Sequence, residues 1–192
     1  MSRHSWTMSL AAVVALLVLA QPGLVAQAGG ASATDITKAN IDAVLGHQGP
    51  DGVGTDRQIK VVDLGKYNLG VGVLRRGPTK EGAPVGAIAH SQVTEVYYII
   101  SGGGTLVTGG TIVGQKPLAA ESEVVRIAVG ASVSGTFQGG ERRLVGPGDV
   151  VIIPAGVPHG FADIKDHVTY LSVRPDPDHV LPAGYVHPAL KQ

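Results

Sequence analysis

The sequence predicts an all-β domain, antiparallel hairpins closing into a jelly roll behind a short N-terminal helix, and three observations carry that expectation. Strand-like runs recur at residues 59–64, 69–74, 86–90, 95–100, 105–107, 123–129, 150–154 and 168–173, with no helices alternating between them. Glycine-rich corners such as Gly102-Gly103-Gly104 and Gly109-Gly110 separate the runs, where tight hairpins need residues that accept a positive φ. The composition, 28 glycines and 12 prolines in 192 residues with 44% apolar content, suits one globular domain of many short strands.

The single helix is expected over residues 35–46. Ile36, Ala39 or Asn40, Ala43 and Val44, with Ile41 and Leu45 alongside, recur at helical spacing, and Gly46 stops the run. Such a helix packs on the outside of the sheet. Residues 46–56, dense in Gly, Pro and Asp, read as a loop. Helix and loop together occupy 29–58, the barrel 59–175, and a proline-rich extended tail 176–192. The middle of the long connection between Gly102 and Gly148, residues 114–122, is expected to make a surface excursion near the barrel mouth.

Residues 1–28 read as a secretory signal peptide and stand apart from the fold. Arg3 and His4 precede an apolar run at 10–20, and Ala26-Gln27-Ala28 is a small-x-small cleavage site; Ala31-Ser32-Ala33 offers a second. The apolar run is about a dozen residues, against the roughly 20 of a spanning helix. A secreted or periplasmic protein with no membrane attachment after cleavage is therefore expected. The absence of cysteine excludes disulfides, so the mature domain relies on its core. Trp6, the one tryptophan, lies in this segment, so the exported protein should carry five tyrosines, no tryptophan and a tyrosine-type emission. A tryptophan-type spectrum from protein recovered outside the cytoplasm would refute cleavage. Fifteen basic and fifteen acidic residues with no long block of either sign leave no electrostatic footprint for nucleic acid or an anionic membrane.

Two stretches carry the chemistry. In residues 148–163, GDVVIIPAGVPHGFAD, an apolar run is stopped by Pro154, turned at Ala155-Gly156, and delivers His159 just after a second proline. If the chain is again extended beyond the turn, His159, Phe161 and Asp163 share a face; in residues 90–102, HSQVTEVYYIISG, the same alternation groups Glu95, Tyr97 and Ile99. The first stretch, G-x5-P-x-G-x2-H-x3-D, resembles the second cupin motif, which usually ends in Asn. The other is similar to the first cupin motif, with His90 in the second His position, Glu95 as the acid and Gly102 as the closing glycine. Ile88 stands where that motif has its first His. The resemblance spans roughly residues 61–174 and implies a double-stranded β-helix (jelly-roll, cupin) barrel. It also implies a metal set reduced from three His and one Glu to His90, Glu95 and His159.

Two neutral imidazoles and one carboxylate suit a divalent ion, whether iron, manganese, nickel, cobalt or zinc, and leave positions open for water or substrate. Tyr97, on the face of Glu95, is a candidate catalytic group that could orient or protonate a substrate. Asp163 is expected to hold a ligand imidazole in its working tautomer. Gln92 reads as a surface loop residue, and the run from Asp176 to His179 as a solvated turn. His167, His179 and His187 match no motif position. Arg75-Arg76 and Arg142-Arg143 are isolated pairs and are not read as an anion clamp. The resemblance does not name a reaction. The leading expectation is an exported, metal-dependent enzyme, oxygenase- or isomerase-like, acting on a small polar molecule; the alternative is a non-catalytic metal or small-molecule (sugar-like) binding protein. The resemblance also implies a homodimer, since such barrels commonly pair through outer sheet faces, and the β-branched run 123–129 with its few charges is read as lending it support.

Overall fold

The computed structural model describes residues 32–47, 54 and 56–191. The chain divides into Met1–Ala33 and Thr34–Gln192, and the fold is that of the second unit. The signal-peptide expectation, and most of the loop expected at 46–56, lie outside the described residues.

The helix is shorter than its periodicity suggests. Thr37 is the reason: its Oγ1 accepts the Asn40 amide at 3.2 Å, and the Asn40 side chain accepts the Thr37 amide at 3.3 Å. This reciprocal cap starts α1 at Lys38, and α1 runs Lys38–Leu45 to Gly46. Ile36, Ile41, Val44 and Leu45 pack on Ile59, Val73 and Leu171, against the outside of a sheet as expected.

Eleven strands follow: β1 Arg57–Asp63, β2 Asn68–Arg76, β3 Gly86–His90, β4 Glu95–Gly102, β5 Gly104–Thr108, β6 Thr111–Pro117, β7 Ser132–Gln138, β8 Glu141–Val145, β9 Val150–Ile153, β10 His159–Ala162 and β11 Val168–Asp176. They form two antiparallel sheets, β1-β2-β11-β4-β9 and β6-β7-β3-β10-β5-β8. From β3 to β5 and again from β9 to β11 the chain alternates between the sheets, which makes the fold the expected all-β jelly-roll barrel behind a short helix. Alternation along each strand decides what faces inward: on β4, Glu95, Tyr97 and Ile99 are buried while Tyr98 and Ile100 are exposed. Leu74, Ile99, Val151, Ile153 and Tyr170 of the first sheet meet Leu106, Val145 and Phe161 of the second in the core.

Two segments depart from expectation. Residues 123–129 are not a strand: Val124–Val129 is π-helical. A short apolar run does not distinguish strand from helix by periodicity, and here the flanks decide. Ser122 Oγ accepts the Val125 amide, the Ser122 carbonyl accepts that of Arg126, and Gly130 ends the turn at φ 68°. Ala128 and Val129 are buried, so this run offers no outer sheet face, and the homodimer expectation loses that warrant. In the other segment, 114–122, the first residues belong to β6, an edge strand whose side chains are almost all exposed. With one face solvated and the other barely covered, β6 lacks the apolar alternation that marks a strand in sequence.

The C-terminal tail lies against β1 through a bridge between Lys60 and Val186. Asp176 is buried rather than solvated, its carboxylate accepting the Val180 and Leu181 amides at 2.9 and 2.7 Å. Among the described residues no helix is long and apolar enough to cross a membrane.

Candidate metal centre

His90 ends β3, Glu95 begins β4, and His159 begins β10. The turn between β9 and β10 uses Gly156 at φ 81°, and its amide donates to the His90 carbonyl at 2.7 Å. That bond ties the second motif to the start of the first. His90, Glu95 and His159 are at most 4% exposed, and one donor atom from each lies within 4.8 Å of the others. Glu95 Oε2 is 3.2 Å from His90 Nε2 and 3.1 Å from His159 Nε2. Two donors about 2.1 Å from a shared ion and at right angles to each other lie about 3.0 Å apart, so the spacing fits a common ion.

The tautomers sharpen this. Ser132, directly opposite His90 on β7, donates its hydroxyl proton to the Gly130 carbonyl at 2.9 Å. Its oxygen is then an acceptor for His90 Nδ1–H at 2.8 Å. His159 Nδ1 is 3.0 Å from the Val157 carbonyl, which can only accept. Both neutral rings therefore turn an Nε2 lone pair toward a carboxylate oxygen. His159 Nε2 has no hydrogen-bond partner, its approach to Glu95 being off the hydrogen-bonding line. Two imidazole lone pairs and a carboxylate oxygen converging out of water call for a cation between them. Protonating the imidazoles is the other way to supply positive charge, but burial holds the His90 pKa below its ordinary value despite the opposing pull of Glu95. The residues fit a divalent ion.

Glu95 is prepared for this role by residues the motifs do not contain. Its Oε1 accepts from Ser172 Oγ at 2.7 Å and Arg174 Nε at 3.0 Å, and its Oε2 from the Tyr97 hydroxyl at 2.9 Å. Arg174, fully buried on β11, also donates to Gln58 Oε1 at 2.5 Å and pairs with Asp56. Burial pushes the Glu95 carboxyl upward, but the Arg174 guanidinium outweighs it and holds the group well below the usual carboxylate range. Desolvation prevails at Asp56, whose pKa is raised. Room for Arg174 and Gln58 comes from β2: a Cβ on Gly72 would sit 2.6 Å from Arg174 Nη1, and one on Gly70 2.5 Å from Gln58 Nε2. The signal for this network was present as an arginine inside an apolar strand and two glycines spaced two apart in another.

Tyr97 is buried at the centre, hydrogen-bonded to the carboxylate as its shared face implies. Burial and then the Glu95 charge raise its pKa well above the ordinary value, so the phenol stays protonated at neutral pH. Ile88 lies opposite His159 in the β3–β10 pair and lines the cavity beside the centre. Asp163 departs from expectation: β10 ends at Ala162, and a φ of 52° turns the aspartate outward to pair with Arg142 at 2.9 Å. The tautomer role expected of it falls to Ser132 and the Val157 carbonyl. Gln92 is exposed.

A pH dependence follows for the metal-free protein. Between the lowered folded pKa of His90 and its ordinary 6.5, the unfolded chain binds a proton that the folded chain does not, so stability falls as pH drops through that window. The depressed Glu95 pKa adds a loss that begins below 4.5. A melting temperature that falls from about pH 7 to about pH 5, and falls less in His90→Gln, is the expected result. A flat profile would contradict it.

No family model and no curated protein matches the chain. Solved structures do. DMSP lyase DddQ from Ruegeria pomeroyi overlaps 72% of this chain at 15% identity and a TM-score of 0.39, and the chain spans only 53% of that protein. A cupin protein from Bacteroides fragilis overlaps 62% of this chain and 72% of its own at 20% identity and a TM-score of 0.33. A predicted oxalate decarboxylase from Thermotoga maritima overlaps 64% of this chain and 92% of its own at 14% identity and the same score. These overlaps are loose, and the barrel assignment rests on strand order and pairing.

Proposed function

We propose that this protein is an exported metal-binding barrel that acts on a small polar molecule beside the His90, Glu95 and His159 centre. The supporting observation is the convergence of two imidazole lone pairs on a carboxylate oxygen, all three groups buried. A bound divalent ion would supply Lewis acidity or an oxygen-activating centre. The chain's own residues set the conditions around it. Ser132 and the Val157 carbonyl fix both tautomers, and Arg174, Ser172 and Tyr97 lock the carboxylate. Leu74, Ile88, Leu118, Val124 and Val129 wall the cavity with hydrocarbon. Tyr97, a neutral phenol whose one proton is donated to Glu95, can accept a hydrogen bond from a bound molecule but is no base at neutral pH.

One observation favours the second reading, a non-catalytic binder: Ile88 places hydrocarbon where a fourth ligand would stand. Metal analysis decides the first step. Zinc or manganese at about 100 times its dissociation constant should add roughly 2.7 kcal/mol of stability. For a domain of this size that is a melting-temperature gain of about 5–11 °C. No stoichiometric metal and no gain from any of iron, manganese, nickel, cobalt or zinc would refute the centre. Oxygen uptake by the loaded protein over aromatic and sugar-acid compounds separates enzyme from binder.

A further inference from the structure

We propose that Arg76 makes the cavity beside the metal centre a site for a small carboxylate, which deepens the functional reading above and rests on it for the ion's place. Arg76 ends β2 and lies two residues beyond Leu74, so it shares the inward face of the core. Its Nε donates to the Tyr170 hydroxyl at 3.0 Å, and its guanidinium carbon lies 5.8 Å from the centre of the Phe161 ring. One edge and one face of the guanidinium are thus fixed. Asp56 lines the same cavity and its charge acts on Arg76, but among the described residues no carboxylate lies within ion-pair distance of Arg76, the contacts of Asp56 and Glu95 being with Arg174. The terminal edge, with four N–H donors, is left to face the cavity that His90, Tyr97 and His159 also line.

Charge points the same way. Asp56 and Glu95 balance Arg76 and Arg174, so a divalent ion held by the three buried ligands leaves an excess of two positive charges beside the cavity. An anion offsets that excess; a neutral sugar does not. A planar guanidinium edge matches a carboxylate with two parallel hydrogen bonds. The cavity, about 260 Å³, falls below the roughly 300–1,000 Å³ of drug-sized pockets, and Leu74, Leu118 and Val129 offer the remainder of the molecule hydrocarbon rather than polar partners. A small carboxylate with a short apolar body fits better than a phosphate ester.

The test is calorimetric titration of acetate, pyruvate and benzoate, their amides and inorganic phosphate into zinc-loaded and metal-free protein. At least one carboxylate should bind the loaded protein about 30-fold or more tightly than its amide, and more tightly than phosphate. Arg76→Gln should lower that affinity by a similar factor while leaving the zinc-induced rise in melting temperature unchanged. Should Arg76→Gln not fold, Tyr170→Phe keeps the guanidinium but frees its position, and a smaller loss for the carboxylate alone is expected. Equal binding of acid and amide, tighter binding of phosphate, unaltered affinity in the variant that folds, or no binding by any carboxylate overturns the proposal. The two readings fail separately. Arg76-dependent carboxylate binding without any metal response would refute the centre and keep this site; a metal response without carboxylate binding would do the reverse.

Discussion

Replacing Arg174 by methionine is expected to cost about 3–5 kcal/mol, the usual penalty for stranding a buried charge partner. A domain has about 5–15 kcal/mol in total, so the variant should be largely unfolded at modest urea concentrations. Two carboxylates carry the penalty. Glu95 would lose the charge that keeps it ionised, and Asp56, already destabilised by burial, would lose its ion pair with Arg174. Lysine at the same place restores the charge without the planar fork that reaches Glu95, Gln58 and Asp56 together, so Arg174→Lys should recover only part of the loss. Urea unfolding of the metal-free proteins measures both. A loss below about 1 kcal/mol for Arg174→Met would mean that the network contributes little.

The second large effect is a contrast between two metal-site variants. By size and shape alone, Glu95→Gln would keep the form of the site and remove only its charge. The hydrogen bonds around Glu95 alter that expectation. A glutamine has one acceptor oxygen, so its amide nitrogen would face either Tyr97 on one side or Ser172 and Arg174 on the other. Glu95→Gln should therefore lose about 2–4 kcal/mol even without metal, by leaving a buried guanidinium short of counter-charge. His159→Gln is the cleaner variant. Its ring holds one carbonyl bond and an otherwise unpartnered nitrogen, so the metal-free protein should lose only about 1–2 kcal/mol while the melting-temperature gain from metal disappears. Thermal melts with and without zinc read both quantities. A metal gain that survives in His159→Gln would place the ion elsewhere.

Much of the fold was legible because buried strands carry an apolar alternation. β1 to β5, β9 and β11 fall close to their expected places, and the capped helix packs where its spacing put it. The misses share one cause, the absence or ambiguity of that pattern. β6 is an exposed edge strand, β7 and β8 each bury a single residue, and the run 123–129 is apolar without a period long enough to choose a conformation. At the site, the three expected ligands converge because two motifs fix two turns. What sequence could not supply was the support from distant strands. Ser132, Ser172 and Arg174 reach the ligands only through sheet pairing, which spacing along the chain does not reveal. Asp163 was misplaced because one positive φ ended the alternation it was counted on.

The two glycines of β2 bear on how this chain can change over time. A side chain at position 72 would evict the guanidinium of Arg174, while a short residue at 174 would leave a void that a glycine is too small to fill. Neither position can drift alone without passing through a damaged barrel. Among descendants and relatives of this chain the pair is therefore expected to be inherited as a unit: glycine at 72 wherever 174 is arginine, and a larger residue at 72 only where the arginine has gone.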